Sequence, residues 1–505
     1  MDFRKAFDNI PRDKLFEKLR KQGITGKFFN SLKTMYTDDS CKIKIDDWLS
    51  EEINPNQGVR QGCVLSPLLF NIFMADLPHI FNHDEDSPPN IDGKRKLSCL
   101  MWADDLILFS ESEIGLNSML NKLSKYNEQN GLELNIEKTK CMIFNKTGRL
   151  IRRVFKYRDT NVEIVREYKY LGFLITPSGQ ITSALHDLKD RAGKALYKLK
   201  ITMGATFYKD VSTTLQLFDA LIKPILMYMS DFWGCLKMPK SNPIEIFQNK
   251  FLKQLLGVQV QTSNIGVLLE TGNIPLSIYA KKHCISNWSR IGKNKCNTIL
   301  QLSYQNMVCN ELEWVTKIKQ ELSSIGLLEL FLNQQGNNVP VENTVFRRLV
   351  DIFHQSSFAE ISNINSKLRT YSLIKTKIGY ESYLSQITMV NKRKSLTKFR
   401  LSNHSLMIEK GRHLGIDKNA RFCKFCPQKI EDEIHFLINC KTFDILRKEL
   451  FEIASNTIYH FYQLSDSGKL VALLSNSVII HHASNYLHKT LEIRNFLLNE
   501  NKNNM

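Results

Sequence analysis

Two aspartates stand side by side, Asp104 and Asp105, between the apolar runs 97–101 and 106–109. Short apolar runs interrupted in this way predict a β-hairpin with the acidic pair at its turn. Like charges held close repel, and one carboxyl of such a pair loses its ordinary acidity. One aspartate in a turn is commonplace. Two at the tip of an apolar hairpin need open water or a cation. Mg²⁺ takes one or two carboxylates with phosphate oxygens in an octahedral shell. Two such ions, about 3.5–4 Å apart, activate an attacking hydroxyl and stabilise a leaving oxygen. That arrangement requires a further carboxylate from a neighbouring strand.

Residues 1–177 alternate short apolar runs with amphipathic stretches, a mixed α+β pattern. Pro11 fits the first turn of a helix that carries Leu15 and Leu19 and closes at Gly23. Ser66-Pro67 reads as an N-cap and first helical residue before the stripe Leu69, Ile72 and Phe73. Residues 112–130 read as a helix, with Leu116, Leu120 and Leu123 apolar and Gly131 at the end. Leu132, Leu134 and Ile136 alternate as a strand, and 168–175 reads as one further strand with Gly172 inside it. Helical patterns dominate 178–335. Residues 335–345 are polar and turn-rich, a candidate linker, and 346–505 hold more helix. Residues 499–505 are expected to be disordered.

Two further segments share the chemistry of the hairpin. One is Asp2-Phe3-Arg4-Lys5-Ala6-Phe7-Asp8; the other is Gln57-Gly58-Val59-Arg60-Gln61-Gly62-Cys63-Val64-Leu65-Ser66-Pro67. With Trp102-Ala103-Asp104-Asp105 they resemble, in order, motifs A, B and C of the reverse transcriptase palm. The type is that of non-LTR (LINE-like) retrotransposons, with signatures near D-F-x-K-A-F-D, G-V-R-Q-G-C-x-L-S-P-x-L-F and [YF]-A-D-D. Gly131-Leu132-Glu133-Leu134-Asn135-Ile136-Glu137-Lys138-Thr139-Lys140 resembles motif D, and Tyr168-Lys169-Tyr170-Leu171-Gly172-Phe173 the primer-grip motif E. Five motifs in this order make a specific match. Group II intron and telomerase relatives share them, but a C-terminal Cys/His segment favours the LINE-like group.

The resemblance implies an α+β fold: a palm of antiparallel sheet packed on helices over 1–177, a helical thumb over 178–335, and a mostly α region over 346–505. It implies an RNA-directed DNA polymerase that uses two Mg²⁺ ions, dNTPs, an RNA template and a DNA primer cut at the target. Asp2 and Asp104 would bind the metals and Asp105 support them, the carboxylates meeting at one point. Phe7 would lie under the sugar and reject a 2′-hydroxyl. Arg60, Gln61 and Gly62 would line the nascent base pair. Lys138 would be the motif D lysine near the pyrophosphate, with Lys140 its rival, and Tyr170, Leu171 and Gly172 would grip the primer. Trp102 departs mildly from the usual Tyr or Phe. The sequence opens inside motif A, without the fingers region and upstream endonuclease of the resembled enzymes. Asp2 is therefore expected on a frayed end, and the activity to be impaired. The alternative is a catalytically dead, element-derived nucleic-acid-binding protein. A nuclear location with a cytoplasmic stage follows from target-primed chemistry.

Lys and Arg exceed Asp and Glu by 69 to 51, a net charge of +18. Such an excess suggests a polyanionic partner. Residues 138–158 hold eight basic residues and no acid; 392–412 hold seven with one acid, Glu409. Both are expected to touch nucleic acid. Within the thumb-like region, Tyr228 and Trp233 read as core aromatics. No apolar run reaches the roughly 18 residues of a membrane span, so no membrane partner is expected. Of eleven cysteines, eight are scattered singly, which suits a reducing compartment. The others form Cys423-x2-Cys426-x8-His435-x4-Cys440. Three thiolates and an imidazole suit tetrahedral Zn²⁺ in a closed, structural site, with His435 and Cys440 on a helix start.

Overall fold

In the computed structural model, which describes residues 1–503 apart from 38, 82–83, 94, 240, 295–297, 335–339 and 364–365, most of the secondary structure is helical. The chain forms two compact units. One is Met1–Ser183 with Lys295–Asn310; the other is Ala184–Asn294 with Glu311–Met505.

The first unit is built on a buried apolar cluster that includes Phe3, Leu15, Leu19, Phe70, Phe73, Leu106, Leu120, Leu123 and Leu134. Each such side chain contributes about 1.5–3 kcal/mol by leaving water. Helix α1 (Arg12–Lys21) follows Pro11 and buries Leu15, Phe16 and Leu19. Helix α2 spans Gly26–Thr37, and the small hairpin β1 (Lys44–Ile45) and β2 (Trp48–Leu49) follows. Helix α3 (Ser66–Met74) starts one residue earlier than expected, with Leu65 at the cap. The Ser66 hydroxyl donates to the Arg60 carbonyl.

The predicted hairpin is β3 (Cys99–Trp102) with β4 (Asp105–Leu108), and its last rung pairs Trp102 with Asp105. Helix α4 (Glu113–Asn130) has Ser112 as N-cap, accepting from the Gly115 amide at 3.0 Å, and ends at a left-handed Gly131. The remaining strands are β5 (Lys140–Cys141), β6 (Lys156–Tyr157), β7 (Thr160–Asn161), β8 (Glu163–Ile164), β9 (Tyr168–Tyr170) and β10 (Phe173–Ile175).

Among the described residues the strands form five two-stranded ladders, four antiparallel and one parallel, the last joining β5 to β8. Two strand expectations change. Residues 132–136 give one bridge, Leu134 to Phe3, before a turn. Residues 168–175 are two strands, because Leu171 (φ +45°) and Gly172 (φ +78°) take the left-handed conformations of a tight hairpin turn.

The second unit is helical. Trp233 is buried, and its indole nitrogen donates to the Tyr228 carbonyl at 2.8 Å. The Tyr228 ring is 36% exposed, so it is not the core residue expected. Helix Val341–Ser362 begins within the expected linker, whose residues 335–339 lie outside the described ones. The last helix, Ile480–Asn503, runs through most of the tail expected to be disordered, and residues 504–505 lie outside the described ones. No described helix is long and apolar enough to cross a membrane.

The core of this unit contains charge. Arg400 is fully buried, 2.7 Å from Glu270 and 2.7 Å from Glu381. Tyr371 donates to Glu270 at 2.8 Å, and Tyr383 donates to its other oxygen. Burial pushes the Glu270 carboxyl up, but the Arg400 charge and these hydrogen bonds outweigh it and hold it below its ordinary value. Removing one partner strands the other. Arg400→Met should therefore cost about 3–5 kcal/mol in denaturant unfolding. The Glu270 contribution is present in full above the ordinary carboxyl value of 4.5 and is lost as pH falls below it. The pH dependence of urea unfolding should show that acid limb, and Glu270→Gln should flatten it.

Candidate active site and metal centre

The opening residues run between two partners. On one side the Met1 nitrogen donates to the Leu106 carbonyl at 2.7 Å, and the Leu106 amide returns to Met1 at 3.2 Å. On the other, the Asn135 amide donates to the Asp2 carbonyl and the Arg4 amide to the Glu133 carbonyl, each at 2.8 Å. Asp2 is thus hydrogen-bonded into the unit, not frayed. The same pairing carries its side chain to the hairpin turn. Asp2 and Asp104 line one concavity of about 330 Å³, with Arg4, Lys5, Phe7, Gln61, Asn135 and Lys138 on its walls.

The turn itself is Ala103-Asp104, with Ala103 at φ +53°. Asp105 lies on β4 and lines a second, more apolar cavity of about 510 Å³ with Met1, Lys140, Tyr168 and Tyr170. Partial burial raises the Asp105 carboxyl above its usual range, and the negative charge of Asp104, then of Asp2, adds to this. Tyr168 and Tyr170 are likewise pushed up, by burial and then by Asp105. The hairpin of β9 and β10 therefore stands beside the acidic cluster. Lys138 lies 3.5 Å from Asp2; Lys140 instead pairs with Glu163 at 2.6 Å.

The loop 57–67 is zipped onto residues 7–10. The Gly58 amide donates to Ile10 at 2.8 Å and the Val59 amide to Phe7 at 2.9 Å. Gly58 has φ +83°, and a Cβ there would lie 2.6 Å from the Asp8 carbonyl oxygen, so only glycine fits. Gln61 donates to the Asp8 carboxylate at 2.9 Å, and Arg12 donates to the Gly58 carbonyl at 3.0 Å. The Phe7 ring stacks on Phe70 with centroids 4.6 Å apart. Arg60 and Gly62 are not among the residues lining the concavity. Arg60 pairs with Asp39 at 2.8 Å and donates to the Met35 carbonyl. Gly58, Asp8 and Lys5 were passed over in the sequence, although each sits inside a motif already recognised.

The basic stretches divide. In 138–158, Lys138, Lys140, Arg153 and Arg158 face acids, while Lys146, Arg149, Arg152 and Lys156 stand exposed. In the 392–412 stretch the arginines are engaged internally, while Lys392, Lys394 and Lys398 are half-buried and Lys410 is exposed. Arg393 is buried against the carbonyls of Lys209, Leu384 and Ile387; Arg400 is in the core; Arg412 pairs with Glu409. Those arginines satisfy carbonyls and carboxylates.

In the second unit, the ligand atoms of Cys423, Cys426, His435 and Cys440 lie within 4.8 Å of one another. Cys426 Sγ and Cys440 Sγ are 3.8 Å apart. A π-helical turn, His435–Asn439, closes with the Cys440 amide donating to the His435 carbonyl at 2.7 Å. That closure explains how residues five apart reach one point. Hydrogen bonding from Cys440, then from the His435 ring and the amides of Phe425 and Cys426, lowers the Cys423 thiol to about 4 despite burial. His435 Nε2 is buried without a hydrogen-bond partner. A ready thiolate, two further sulfurs and an orphaned imidazole nitrogen fit Zn²⁺, so the cluster could hold that ion.

Carboxylates gathered on one rim, with lysines on the walls behind them, are the donor set of a protein that handles phosphate through divalent cations. Residues 1–175 match the family described as reverse transcriptase (RNA-dependent DNA polymerase). The Retrovirus-related Pol polyprotein from type-2 retrotransposable element R2DM of Drosophila melanogaster is 29% identical over 36% of this chain and 18% of its own length. The Pol polyprotein from the R2 element of Nasonia vitripennis is 24% identical over 54% of this chain and 28% of its own. The probable RNA-directed DNA polymerase from transposon BS of Drosophila melanogaster is 23% identical, covering 50% and 28%. The chain thus spans under a third of these relatives. Residues 1–175 are thus similar to reverse transcriptase domains, and the relatives that share them are proteins of retrotransposable elements.

Gly58→Ala tests how the loop is held. The added methyl meets backbone and a left-handed φ, so stability should fall by about 1–3 kcal/mol. Gln61 should lose its hold on Asp8, seen as faster amide exchange across residues 5–10.

Proposed function

We propose that this chain is the polymerase part of a non-LTR retrotransposon protein, an RNA-directed DNA polymerase that extends a DNA primer on an RNA template from dNTPs. The reading rests on one observation: Asp2 and Asp104, from segments about a hundred residues apart, line the same concavity with Gln61 and Lys138. Divalent ions, two Mg²⁺ in this reading, would activate the primer 3′-hydroxyl and stabilise the departing pyrophosphate. Asp2 and Asp104 would hold them, and Asp105, partly withdrawn from water, would add to the negative field that draws them in. Lys138 is placed to protonate or neutralise the leaving pyrophosphate. Phe7, braced on Phe70, forms the floor under the sugar. Gln61, with its neighbours Arg60 and Gly62 in the same loop, would support the nascent base pair, and the turn Tyr170-Leu171-Gly172 would steady the primer end.

In the same proposal 1–177 are the palm, 178–335 the thumb and 346–505 a helical region around a structural Zn²⁺. The protein works in the nucleus after a cytoplasmic stage. A catalytically dead nucleic-acid binder is the outcome to be separated by experiment. Primer extension on RNA with Mg²⁺ should be lost on the order of 10²–10³-fold or more in Asp104→Asn. Primer–template affinity should stay unchanged. Binding without any synthesis by the unaltered chain would replace the polymerase with the binder.

The metal centre has its own check. The purified chain should carry one Zn²⁺. A chelator, or Cys423→Ala, should remove it and lower the unfolding temperature, since binding energy at a structural zinc site is folding energy.

A further inference from the structure

One guanidinium grips the loop 55–62 from outside the concavity. Arg12 is the first residue of α1, and its side chain is only 10% exposed. Its Nε donates to the Gly58 carbonyl at 3.0 Å. One terminal nitrogen donates to the carbonyls of Tyr36 and, at 2.6 Å, Pro55; the other donates to the Asp39 carboxylate at 2.9 Å. Asp39 is buried, and its second oxygen takes Arg60 at 2.8 Å. Arg60 in turn donates to the Met35 carbonyl at 2.9 Å. Met35 and Tyr36 lie in the last turn of α2, where carbonyls have no partner within the helix and cations are favoured. Both guanidinium groups also stand over the buried Tyr36 ring, 5.2 and 5.9 Å from its centroid.

The planar fork of arginine matters here. Its donors point in fixed directions and reach several acceptors at once, which a single ammonium does not. Arg12 thus ties together the end of α2, the segment 55–58 and Asp39, and Asp39 extends the tie to Arg60. The next residue, Gln61, is the one this loop sends into the concavity, where it donates to Asp8 at 2.9 Å. Neither Arg12 nor Asp39 lines the concavity. A buried ion pair adds little net stability. What this one fixes is the place of the loop.

Resting on the polymerase reading above, we propose that Arg12, through Asp39 and Arg60, is a positioning residue for the nucleotide site. It sets where Gln61 stands at the nascent base pair, and so the affinity for the incoming dNTP, without touching substrate.

The test is a mutant cycle in the purified chain, read by primer extension with Mg²⁺ at varied dNTP. Arg12→Lys should raise the dNTP KM about five- to tenfold while turnover at saturation changes less than about twofold. Asp39→Asn keeps the shape but weakens both arginine contacts, and should shift KM in the same direction. In a Gln61→Ala background, Arg12→Lys should add less than about twofold, because both changes act through one side chain. Amide exchange across residues 57–62 should quicken in Arg12→Lys. Where Arg12→Lys does not fold, Asp39→Asn carries the same cycle. An equal rise in KM with and without Gln61 would overturn the proposal, as would an unchanged KM in both Arg12→Lys and Asp39→Asn. Should the unaltered chain bind dNTP but extend no primer, the polymerase reading falls, and the same cycle read as the dNTP Kd still decides the role of Arg12. No dNTP binding at all would sink both.

Discussion

Repulsion among carboxylates sets the terms for the N-terminal unit. Asp104 stands at a turn, Asp105 on the adjoining strand, and Asp2 is hydrogen-bonded alongside by the Met1–Leu106 and Asp2–Asn135 pairs. Backbone hydrogen bonds across such sequence distances hold like charges closer than they would settle in water. Burial first, and then the charges of Asp104 and Asp2, raise the Asp105 carboxyl above its usual range. The surrounding structure keeps the gathering in place. Phe3 between the two flanking segments is buried, as are Leu106 and Leu134 beside it. The packing behind the site thus supplies the energy that the site gives up.

The same logic shows what could be read from the sequence. Features set by a few adjacent residues were legible: the hairpin around Asp104, the helix from Ser112 to Gly131, and the Cys423–Cys440 spacing. Each depends on local chemistry, namely alternation, capping or ligand geometry. Features set by distant partners were not. Leu132, Leu134 and Ile136 alternate like a strand, yet only Leu134 finds a bridge partner, Phe3. Residues 168–175 are apolar enough for one strand. The fold breaks them at Leu171-Gly172, where only the backbone angle reveals the turn. Tyr228 has a core-like composition around it, but its ring stays partly exposed with Arg191 over its face. Within the site, Asp2, Asp104, Gln61 and Lys138 were found by motif. The clamp of Gly58 on Asp8 was not, since its cause is a contact between two loops.

In the second unit, buried charge specifies the fold and the metal segment together. Glu431 and Glu433 precede the turn that carries His435, and both are 1% exposed. Glu431 takes two hydrogen bonds from Arg494 on the last helix, at 2.7 and 2.6 Å. Glu433 takes two from Arg369, at 2.9 and 2.8 Å, and lies 2.9 Å from His404. Buried pairs of this kind add little net stability but are expensive to break singly. The Cys/His segment is therefore wired into the helices around it just ahead of its histidine. Its acidic residues look like surface charge in the sequence only because their partners are 63 and 64 positions away.

Net charge is the property most easily misread. The +18 of this chain invites a search for basic runs, and two stand out. Yet Arg393 and Arg400 lie in the core, bonded to carbonyls and carboxylates, and half of the 138–158 cations face acids. Arginine is suited to such burial because its planar fork satisfies several acceptors at once and never loses its charge. A count of cations cannot separate that use from phosphate binding; exposure and pairing can. By that measure the cations that carry information are few. Lys146, Arg149, Arg152 and Lys156 project from one exposed stretch of the N-terminal unit, and Lys5 stands in the concavity itself. The first group suits the long-range, salt-sensitive attraction of a nucleic-acid backbone.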